Sequence, residues 1–174
     1  MNPNSEAEIQ IVPYDVSWPA RFEDERVVLA RAIGPWIAGT IEHIGSTAVP
    51  DLPAKPVIDI MAGVESLAVS RAAFPVLEKL GYCYAPYRAD VMHWFCKPSP
   101  SFRTHHLHLV PFRSQLWTER LAFRDYLRAH PQVASEYAQL KCQLAERHRF
   151  DREAYTDAKS PFIQRVLNAA VEGG

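Results

Sequence analysis

The first residues able to do chemistry form a glycine–hydroxyl turn in the stretch IEHIGSTAVP, residues 41–50. Gly45 allows the backbone to approach a ligand closely, and Ser46, Thr47 and nearby backbone N–H groups can hold phosphate oxygens. A strand, a Gly-Ser turn and a helix N-terminus in this order suit a nucleoside triphosphate. The same residues also make an ordinary turn at the end of a strand, so the spacing leaves both interpretations open.

A second candidate lies in KPVIDIMAGV, residues 55–64, where Asp59 stands inside an apolar run. Burying a carboxylate without a partner is costly, so Asp59 needs a metal ion, a basic side chain or backbone N–H groups around it. A carboxylate on the strand beside the turn can hold a divalent metal that bridges phosphate oxygens. Lys55 can bind the phosphates. The alternative is an aspartate capped by N–H groups or paired with a structural arginine.

Two histidines occupy alternate positions in THHLHLV, residues 104–110. Because side chains alternate along a strand, His106 and His108 point to one face and His105 points to the other. Two imidazoles on one face form half of a metal site, or bind phosphate when protonated, and a third ligand must come from elsewhere. Exposed or hydrogen-bonded histidines are the competing interpretation.

Basic residues near the C-terminus offer further ligands for an anion. Arg120, Arg124 and Arg128 recur at every fourth residue of a predicted helix, where like charges repel unless an anion offsets them. Acidic neighbours such as Asp125 can do this, and so can a substrate phosphate. Lys159, near the start of the last predicted helix, can also reach an anion, although a solvated lysine is the simpler interpretation. Arg124 and Lys159 are therefore candidates for phosphate binding.

The elements that position these groups follow from apolar periodicity and from Gly and Pro. The predicted helices span residues 17–33, 66–80, 115–130, 133–149 and 157–171, and the predicted strands span residues 40–44, 57–64, 82–84, 92–97 and 104–110. Pro75 is expected to kink or split the second helix. The strands 40–44 and 57–64 are predicted to be the central pair. The pattern predicts one α/β (α+β) domain over residues 1–174, a mixed sheet backed by helices with a helical C-terminal third and a mobile tail at 1–8.

Composition excludes several classes of protein. The 174 residues are 48% hydrophobic and 22% charged, which is typical of globular domains. The net charge of −1 provides no field for a polyanion such as duplex DNA, so nucleic acid is not the expected partner. The N-terminus lacks a signal-peptide pattern, and no apolar run is long enough to cross a membrane. We therefore expect a cytoplasmic protein without a membrane partner.

Six stretches of the chain together resemble the GrpB-like family, a domain that also occurs fused behind some bacterial dephospho-coenzyme A kinases. They are IVPYDVSWPARF at 11–22, IEHIGSTAVP at 41–50, KPVIDIMAGV at 55–64, THHLHLV at 104–110, FRDYLRAHP at 123–131 and AYTDAKSPFIQ at 154–164. The resemblance implies a nucleotidyltransferase-like fold, in which a Gly-Ser turn and a strand with acidic residues build the catalytic centre. Ser46 and Asp59 match these positions.

The resemblance also implies a different ligand set from the usual one. Met61 occupies the position of the superfamily's second carboxylate, as is common in this family, which argues against two-metal phosphoryl chemistry. His106 and His108 lie on the strand that often carries the third acidic residue. A site of Asp59 with two histidines would favour zinc or manganese over magnesium as the divalent metal. Two further departures are Asp51 and Arg113, which stand where the family usually has glycine.

The expected function is transfer of a nucleotidyl or related phosphoryl group from a nucleoside triphosphate to a small-molecule acceptor. Asp59, His106 and His108 would hold one metal ion or act as the base, and Ser46 and Lys55 would hold the phosphates. The alternative is a non-catalytic module that binds a nucleotide or metabolite in a degenerate site. A third hypothesis, metal-dependent hydrolysis of a phosphoester, uses the same residues with water as the acceptor.

Overall fold

A five-stranded mixed sheet with helices on both faces organises the chain. The structure is a computed structural model that describes residues 8–172. The elements in chain order are α1 (Trp18–Ile33), β1 (Ile37–Ile44), β2 (Ile58–Val64), α2 (Leu67–Ser70), α3 (Phe74–Lys79), β3 (Cys83–Ala85), β4 (His93–Pro98), β5 (Arg103–Pro111), α4 (Gln115–Ala129), α5 (Pro131–Arg147), α6 (Arg152–Asp157) and α7 (Ser160–Glu172). The mobile tail predicted for residues 1–8 lies outside the described residues, apart from Glu8. Within residues 8–172, no helix is both long enough and apolar enough to cross a membrane.

Local sequence signals account for the ends of the long helices. Helix α1 has Pro19 in its first turn and ends directly before Gly34, as predicted. The hydroxyl of Ser114 accepts a hydrogen bond from the backbone N–H of Trp117 at 3.3 Å and so caps α4. These boundaries follow from single residues, because each satisfies or interrupts backbone hydrogen bonds within one turn.

One predicted helix is divided, and one short helix was not predicted. The second predicted helix is split by a 3-10 turn, Arg71–Ala73, shortly before Pro75, as expected. The last helix, predicted at 157–171, corresponds to α7, and the short helix α6 precedes it. The carboxylate of Asp151 accepts a hydrogen bond from the N–H of Ala154 at 2.9 Å and starts α6. The six residues of α6 are too few to show an apolar period in the sequence.

The strand order across the sheet is β1-β2-β5-β4-β3, with β2 and β5 parallel and the other pairs antiparallel. Residues 40–44 and 57–64 are neighbours, but the prediction that they form the central pair is wrong, because β1 is an edge strand. Strand β5 takes the inner place beside β2, where Leu107 and Leu109 become fully buried. Strand β1 has exposed positions such as Thr40, which an edge strand tolerates.

Alternation along β2 assigns its side chains to two cores. Ile58 and Ile60 pack in the cluster that includes residues of α1 and α3. Met61, on the opposite face, packs in the cluster that contains Trp117 of α4. Asp59 alternates with the isoleucines and therefore lies on the same face as Met61. The face of the sheet toward α4 thus carries the candidate functional residues.

We expect the substitution Arg113→Gly to stabilise the protein. Arg113 has a φ of 63°, and Asp51 has a φ of 62°, so both positions at which the sequence resemblance implies glycine are left-handed. This left-handed conformation costs an arginine ~1–2 kcal/mol, which glycine avoids. Glycine also loses more backbone entropy on folding, and this loss offsets part of the gain in stability. The free energy of unfolding, measured by urea denaturation, should rise by ~0.5–1 kcal/mol.

Asp51→Gly serves as the comparison for this substitution. Aspartate tolerates the left-handed region better than arginine, so the gain should be smaller than for Arg113→Gly. A fall in stability for Arg113→Gly would instead mean that the contact of its guanidinium with the Phe112 ring, 5.1 Å from the ring centre, outweighs the backbone cost.

Candidate functional site

Asp59 and the two histidines meet on the face of the sheet that α4 covers. Asp59 is directly opposite His106 in the parallel pair of β2 and β5. The Nδ1 atom of His106 lies 2.9 Å from Oδ1 of Asp59, and Nε2 of His108 lies 3.7 Å from the same oxygen. The exposed fractions of the three side chains are 28% for Asp59, 14% for His106 and 6% for His108. The structure therefore brings together the three predicted metal ligands, and their role stays a prediction.

The Gly-Ser turn lies directly against the carboxylate of Asp59. Gly45 has φ 73° and ψ −173°, a conformation that is essentially restricted to glycine. A Cβ atom on Gly45 would lie 2.5 Å from Oδ2 of Asp59 and 3.0 Å from its Cβ. Ser46 follows in a 3-10 turn, Ser46–Ala48, and its side chain acts to lower the pKa of Tyr137 of α5, which burial raises. Glycine at this position is thus what allows the turn to reach Asp59.

Thr47, also predicted to bind phosphate, holds the turn in place. Its hydroxyl is buried, donates to the carbonyl of Val57 at 3.2 Å and lies 2.9 Å from Nε2 of His43. The ring of His43 stacks on Phe22, with 4.7 Å between the ring centres. Burial lowers the pKa of His43 to about 4, so this imidazole is neutral at pH 7. The Thr47 side chain connects the turn to the start of β2.

The protonation states of Asp59 and His108 at neutral pH suit metal binding. Burial alone would raise the pKa of Asp59, but the hydrogen bond with His106 and the nearby imidazole of His108 hold it well below its ordinary value of 3.8. Burial lowers the pKa of His108 to about 4, and the positive charge of Arg120 contributes to the shift. The carboxylate is therefore ionised and the His108 imidazole neutral at pH 7, the forms in which these side chains bind metal ions.

The geometry fits one metal ion. The Nε2 atoms of His106 and His108 are buried and have no hydrogen-bond partner, a cost that a bound ion would remove. One ligand atom from each of the three side chains lies within 4.8 Å of the other two, and within residues 8–172 no other group of three such side chains is as close. Met61 is fully buried in the apolar cluster under α4. The position of the superfamily's second carboxylate therefore offers no ligand for a second ion.

Of the arginine stripe on α4, Arg120 lies at the site. It is only partly exposed, its Nη2 is 3.9 Å from Sδ of Met92, and Asp59 acts on it electrostatically. Arg124, which we predicted to bind phosphate, instead pairs with Glu42 at 2.8 Å and with Asp125 at 2.7 Å. Because Arg124 lies one helical turn after Arg120, its guanidinium lies beside the edge strand β1 rather than near Asp59. The four-residue spacing showed the stripe but not which member faces the site.

Lys55 and Lys159, the other predicted phosphate ligands, meet over one aromatic ring. Their ammonium groups lie 5.0 and 4.4 Å from the centre of the Tyr155 ring, which is buried. Burial and the charge of Lys55 lower the pKa of Lys159 to about 7, while Asp59 acts in the opposite direction. Lys159 is thus within the electrostatic reach of the candidate metal site. Surface depressions of about 510 Å³ beside α1 and β1 and about 550 Å³ beside the N-terminal segment and α5 do not include these residues.

Comparison with known proteins agrees with this architecture. A family model described as GrpB protein matches residues 8–169. The glutamate-rich protein GrpB of Alkalihalophilus pseudofirmus is 36% identical, over 94% of this chain and 97% of its own length. The crystal structure of GrpB from Enterococcus faecalis has a TM-score of 0.85 at 34% identity and covers 94% of this chain and 98% of that chain.

A more distant similarity concerns the fold alone. A structure of the Cid1 poly(U) polymerase has a TM-score of 0.53 at 17% identity and covers 79% of this chain and 44% of that chain. Together with the mixed sheet and its helices, this similarity confirms the nucleotidyltransferase-like fold that the sequence resemblance implied.

Proposed function

Since this chain belongs to the GrpB family, we propose that it transfers a nucleotidyl or related phosphoryl group from a nucleoside triphosphate to a small molecule, using one divalent metal ion. One observation carries the proposal. The ionised carboxylate of Asp59 contacts His106, lies near His108 and is directly against the Gly45 turn. The candidate metal ligands and the turn proposed to bind phosphate therefore lie at one place in the fold.

The three candidate metal ligands and the Gly45 turn would have separate roles in the reaction. Asp59, His106 and His108 would hold the ion, which when bound neutralises negative charge on the phosphoryl oxygens. The turn at Gly45 and Ser46 would orient the triphosphate through backbone N–H groups and a hydroxyl. In the transfer, the acceptor oxygen forms a bond to phosphorus, the bond from phosphorus to the bridging oxygen breaks, and the remaining phosphates leave. The proton of the acceptor hydroxyl would pass to solvent water, because Asp59 and His106 would be occupied as metal ligands.

Lys55, Lys159 and Arg120 supply positive charge around this site. Lys55 and Lys159 would hold the leaving phosphates, and Arg120 would stabilise charge near Asp59 as the bonds change. Arg120 replaces the predicted Arg124 in this role, because the carboxylates of Glu42 and Asp125 already neutralise Arg124.

A non-catalytic nucleotide or metabolite binding module is the second candidate function. The buried Met61 favours it, because the usual site with several carboxylates is reduced to one aspartate. Both functions require a ligand at the Gly45 turn, and only the transferase forms a product. Incubation with a nucleoside triphosphate, Mn²⁺ and a set of small-molecule acceptors separates the two, because nucleotidyl transfer releases pyrophosphate and phosphoryl transfer releases a nucleoside diphosphate. Phosphate or nucleotide release with water as the only acceptor would identify a hydrolase.

We expect the protein without nucleotide to bind one Zn²⁺ or Mn²⁺ per chain, with at least about tenfold weaker binding of Mg²⁺. Imidazole ligands suit zinc and manganese, whereas magnesium prefers oxygen ligands only. Isothermal titration calorimetry with each metal measures this order. His106→Ala should reduce Zn²⁺ affinity at least about tenfold, because it removes one of three ligands.

His130→Ala is the matched control for the metal titration. His130 is exposed at the end of α4 and bonds to the carbonyl of Tyr126, so its loss should leave metal affinity unchanged. Binding of Mg²⁺ alone, with no effect of His106→Ala, would place the metal on carboxylates elsewhere and contradict the assigned ligands. No metal binding in the absence of nucleotide would favour the binding module.

A further inference from the structure

Lys141 of α5 is a buried cation close to the proposed site. Only 2% of its surface is exposed, and its ammonium group donates a hydrogen bond to the carbonyl of Pro53 at 2.5 Å. The same group lies 4.9 Å from the centre of the Tyr137 ring. Within residues 8–172 neither Lys141 nor Lys159 forms an ion pair with a carboxylate. Burying an ammonium group without a counter-ion costs free energy that a bound anion would offset.

Lys55 and Lys159 extend this positive charge toward solvent. Both are partly exposed, and both lie over the ring of Tyr155. Lys55 precedes β2, Lys159 lies between α6 and α7, and Lys141 belongs to α5, so three distant parts of the chain supply the three ammonium groups. We call these three residues the lysine cluster. An anion can approach the cluster from solvent at Lys55 and Lys159, which are partly exposed.

The three charges act on one another. Burial lowers the pKa of Lys141 to about 7, and repulsion from Lys159 and then from Lys55 adds to the shift. Burial and then Lys55 lower that of Lys159 to about 7 as well. Repulsion between like charges destabilises the fold, whereas an anion with several charges would attract all three ammonium groups.

The cluster is continuous with the Gly45 turn. The ammonium group of Lys141 lies over the ring of Tyr137, on whose pKa Ser46 acts, and it donates to the carbonyl of Pro53, two residues before Lys55. At the other end, Asp59 attracts Lys159 electrostatically. A ligand with one end at Asp59 would therefore lie beside the positive charges of Lys159 and Lys141.

We propose that the lysine cluster binds the terminal phosphates of a nucleoside triphosphate and selects a chain of phosphates over a single phosphate. A triphosphate spreads its negative charges over several linked groups, which matches three separate ammonium groups better than one compact phosphate does. The inference rests on the proposed function, which places the reacting phosphorus at Asp59. It adds the preference for linked phosphates over a single phosphate, and it adds Lys141, which the sequence did not indicate.

Calorimetric titration of the metal-free protein with inorganic tripolyphosphate and with inorganic phosphate tests the proposal. Tripolyphosphate should bind at least about tenfold more tightly than phosphate, and Lys141→Met should weaken tripolyphosphate at least about tenfold, the usual effect of losing a charge-assisted hydrogen bond. Lys79→Met, an exposed lysine on α3 at the opposite face of the sheet, is the matched control and should bind like the wild type. Lys159→Met repeats the test at a partly exposed position, where the fold is less sensitive.

Thermal unfolding without ligand distinguishes a binding lysine from a structural one. Lys141→Met removes a buried charge and should keep or raise the unfolding temperature. Unchanged tripolyphosphate affinity in both the Lys141→Met and Lys159→Met proteins would overturn the proposal, and so would phosphate binding as tight as tripolyphosphate binding.

A separate experiment tests the proposed function. Asp59→Asn should keep or strengthen tripolyphosphate binding in the metal-free protein, because it removes a negative charge beside Lys159. Tripolyphosphate binding without any metal binding would support the lysine cluster and contradict the metal-dependent transferase. Metal binding without tripolyphosphate binding would support the metal-dependent site and contradict the lysine cluster.

Discussion

Asp59→Asn is expected to reduce Zn²⁺ and Mn²⁺ affinity at least about a hundredfold while lowering the free energy of unfolding by ~1–3 kcal/mol. The carboxylate is the single negative charge among the three ligands, and asparagine keeps its shape without that charge. Asparagine also keeps an oxygen that accepts the hydrogen bond from His106, which limits the loss of stability. Calorimetry with each metal and urea denaturation of the metal-free protein measure the two quantities.

The pH dependence of stability gives an independent measure of the same carboxylate. Because the folded-state pKa of Asp59 is held below its ordinary value of 3.8, the ionised form stabilises the fold above pH 3.8. That contribution is lost as the pH falls through the folded-state value. In Asp59→Asn this part of the acid destabilisation should be absent, which denaturation between pH 5 and acidic conditions can show.

Asp51→Asn is the matched control for Asp59→Asn. Asp51 is exposed and follows the same turn, so its substitution removes one negative charge from the neighbourhood without touching the histidines. We expect its metal affinity to remain within about twofold of the wild type, since exposed charges are strongly screened. Marked destabilisation of Asp59→Asn with metal binding intact would identify Asp59 as a structural carboxylate.

Gly45→Ala is expected to destabilise the protein by about 3 kcal/mol or more and to abolish metal binding. The conformation of Gly45, φ 73° and ψ −173°, costs a residue with a side chain ~1–3 kcal/mol. The new methyl group would also lie 2.5 Å from Oδ2 of Asp59, so either the turn or the carboxylate must move. Urea denaturation measures the first effect, and calorimetry with Zn²⁺ measures the second.

Two other glycines separate the contact from the backbone effect. Gly81 has a φ of 84° and nothing within 4 Å of an added Cβ, so Gly81→Ala should show only the conformational cost of ~1–2 kcal/mol. Gly34 has open space around it and no positive φ, so Gly34→Ala should have little effect or stabilise slightly. If Gly45→Ala lost no more stability than Gly81→Ala and still bound metal, the turn would not need to touch Asp59.

The sequence predicted most of the elements because their signals are local. Helix α1 begins beside Pro19 and ends before Gly34, and Pro75 divides the second predicted helix. Each of these residues acts on the backbone within one helical turn. Strand β1 begins at Ile37 rather than at residue 40, because Ile37 pairs with Val64 of β2, and an irregularity separates this pair from the next pair at Ile41. Ala38 and Gly39 have weak strand signals, so the sequence did not indicate the earlier start. The edge position of β1 could not be predicted, since strand order depends on contacts far apart in the chain.

The candidate site shows the same division. Alternation along one strand was enough to place His106 and His108 on one face. Their contact with Asp59 depends on the parallel register between β2 and β5, which a shift of one residue would destroy. Register is decided by the packing of whole strands, and no short stretch of sequence contains it.

The sequence by itself determined which residue types stand at each alternating position, where the backbone can turn tightly, and the family resemblance that implied the fold. Only the tertiary structure decided that Arg120 rather than Arg124 lies beside Asp59, that Lys141 joins Lys55 and Lys159, and that the pKa of His108 falls to about 4. The physical reason is that desolvation and charge–charge interaction depend on distance in space, and residues that share them here are separated by tens of positions along the chain.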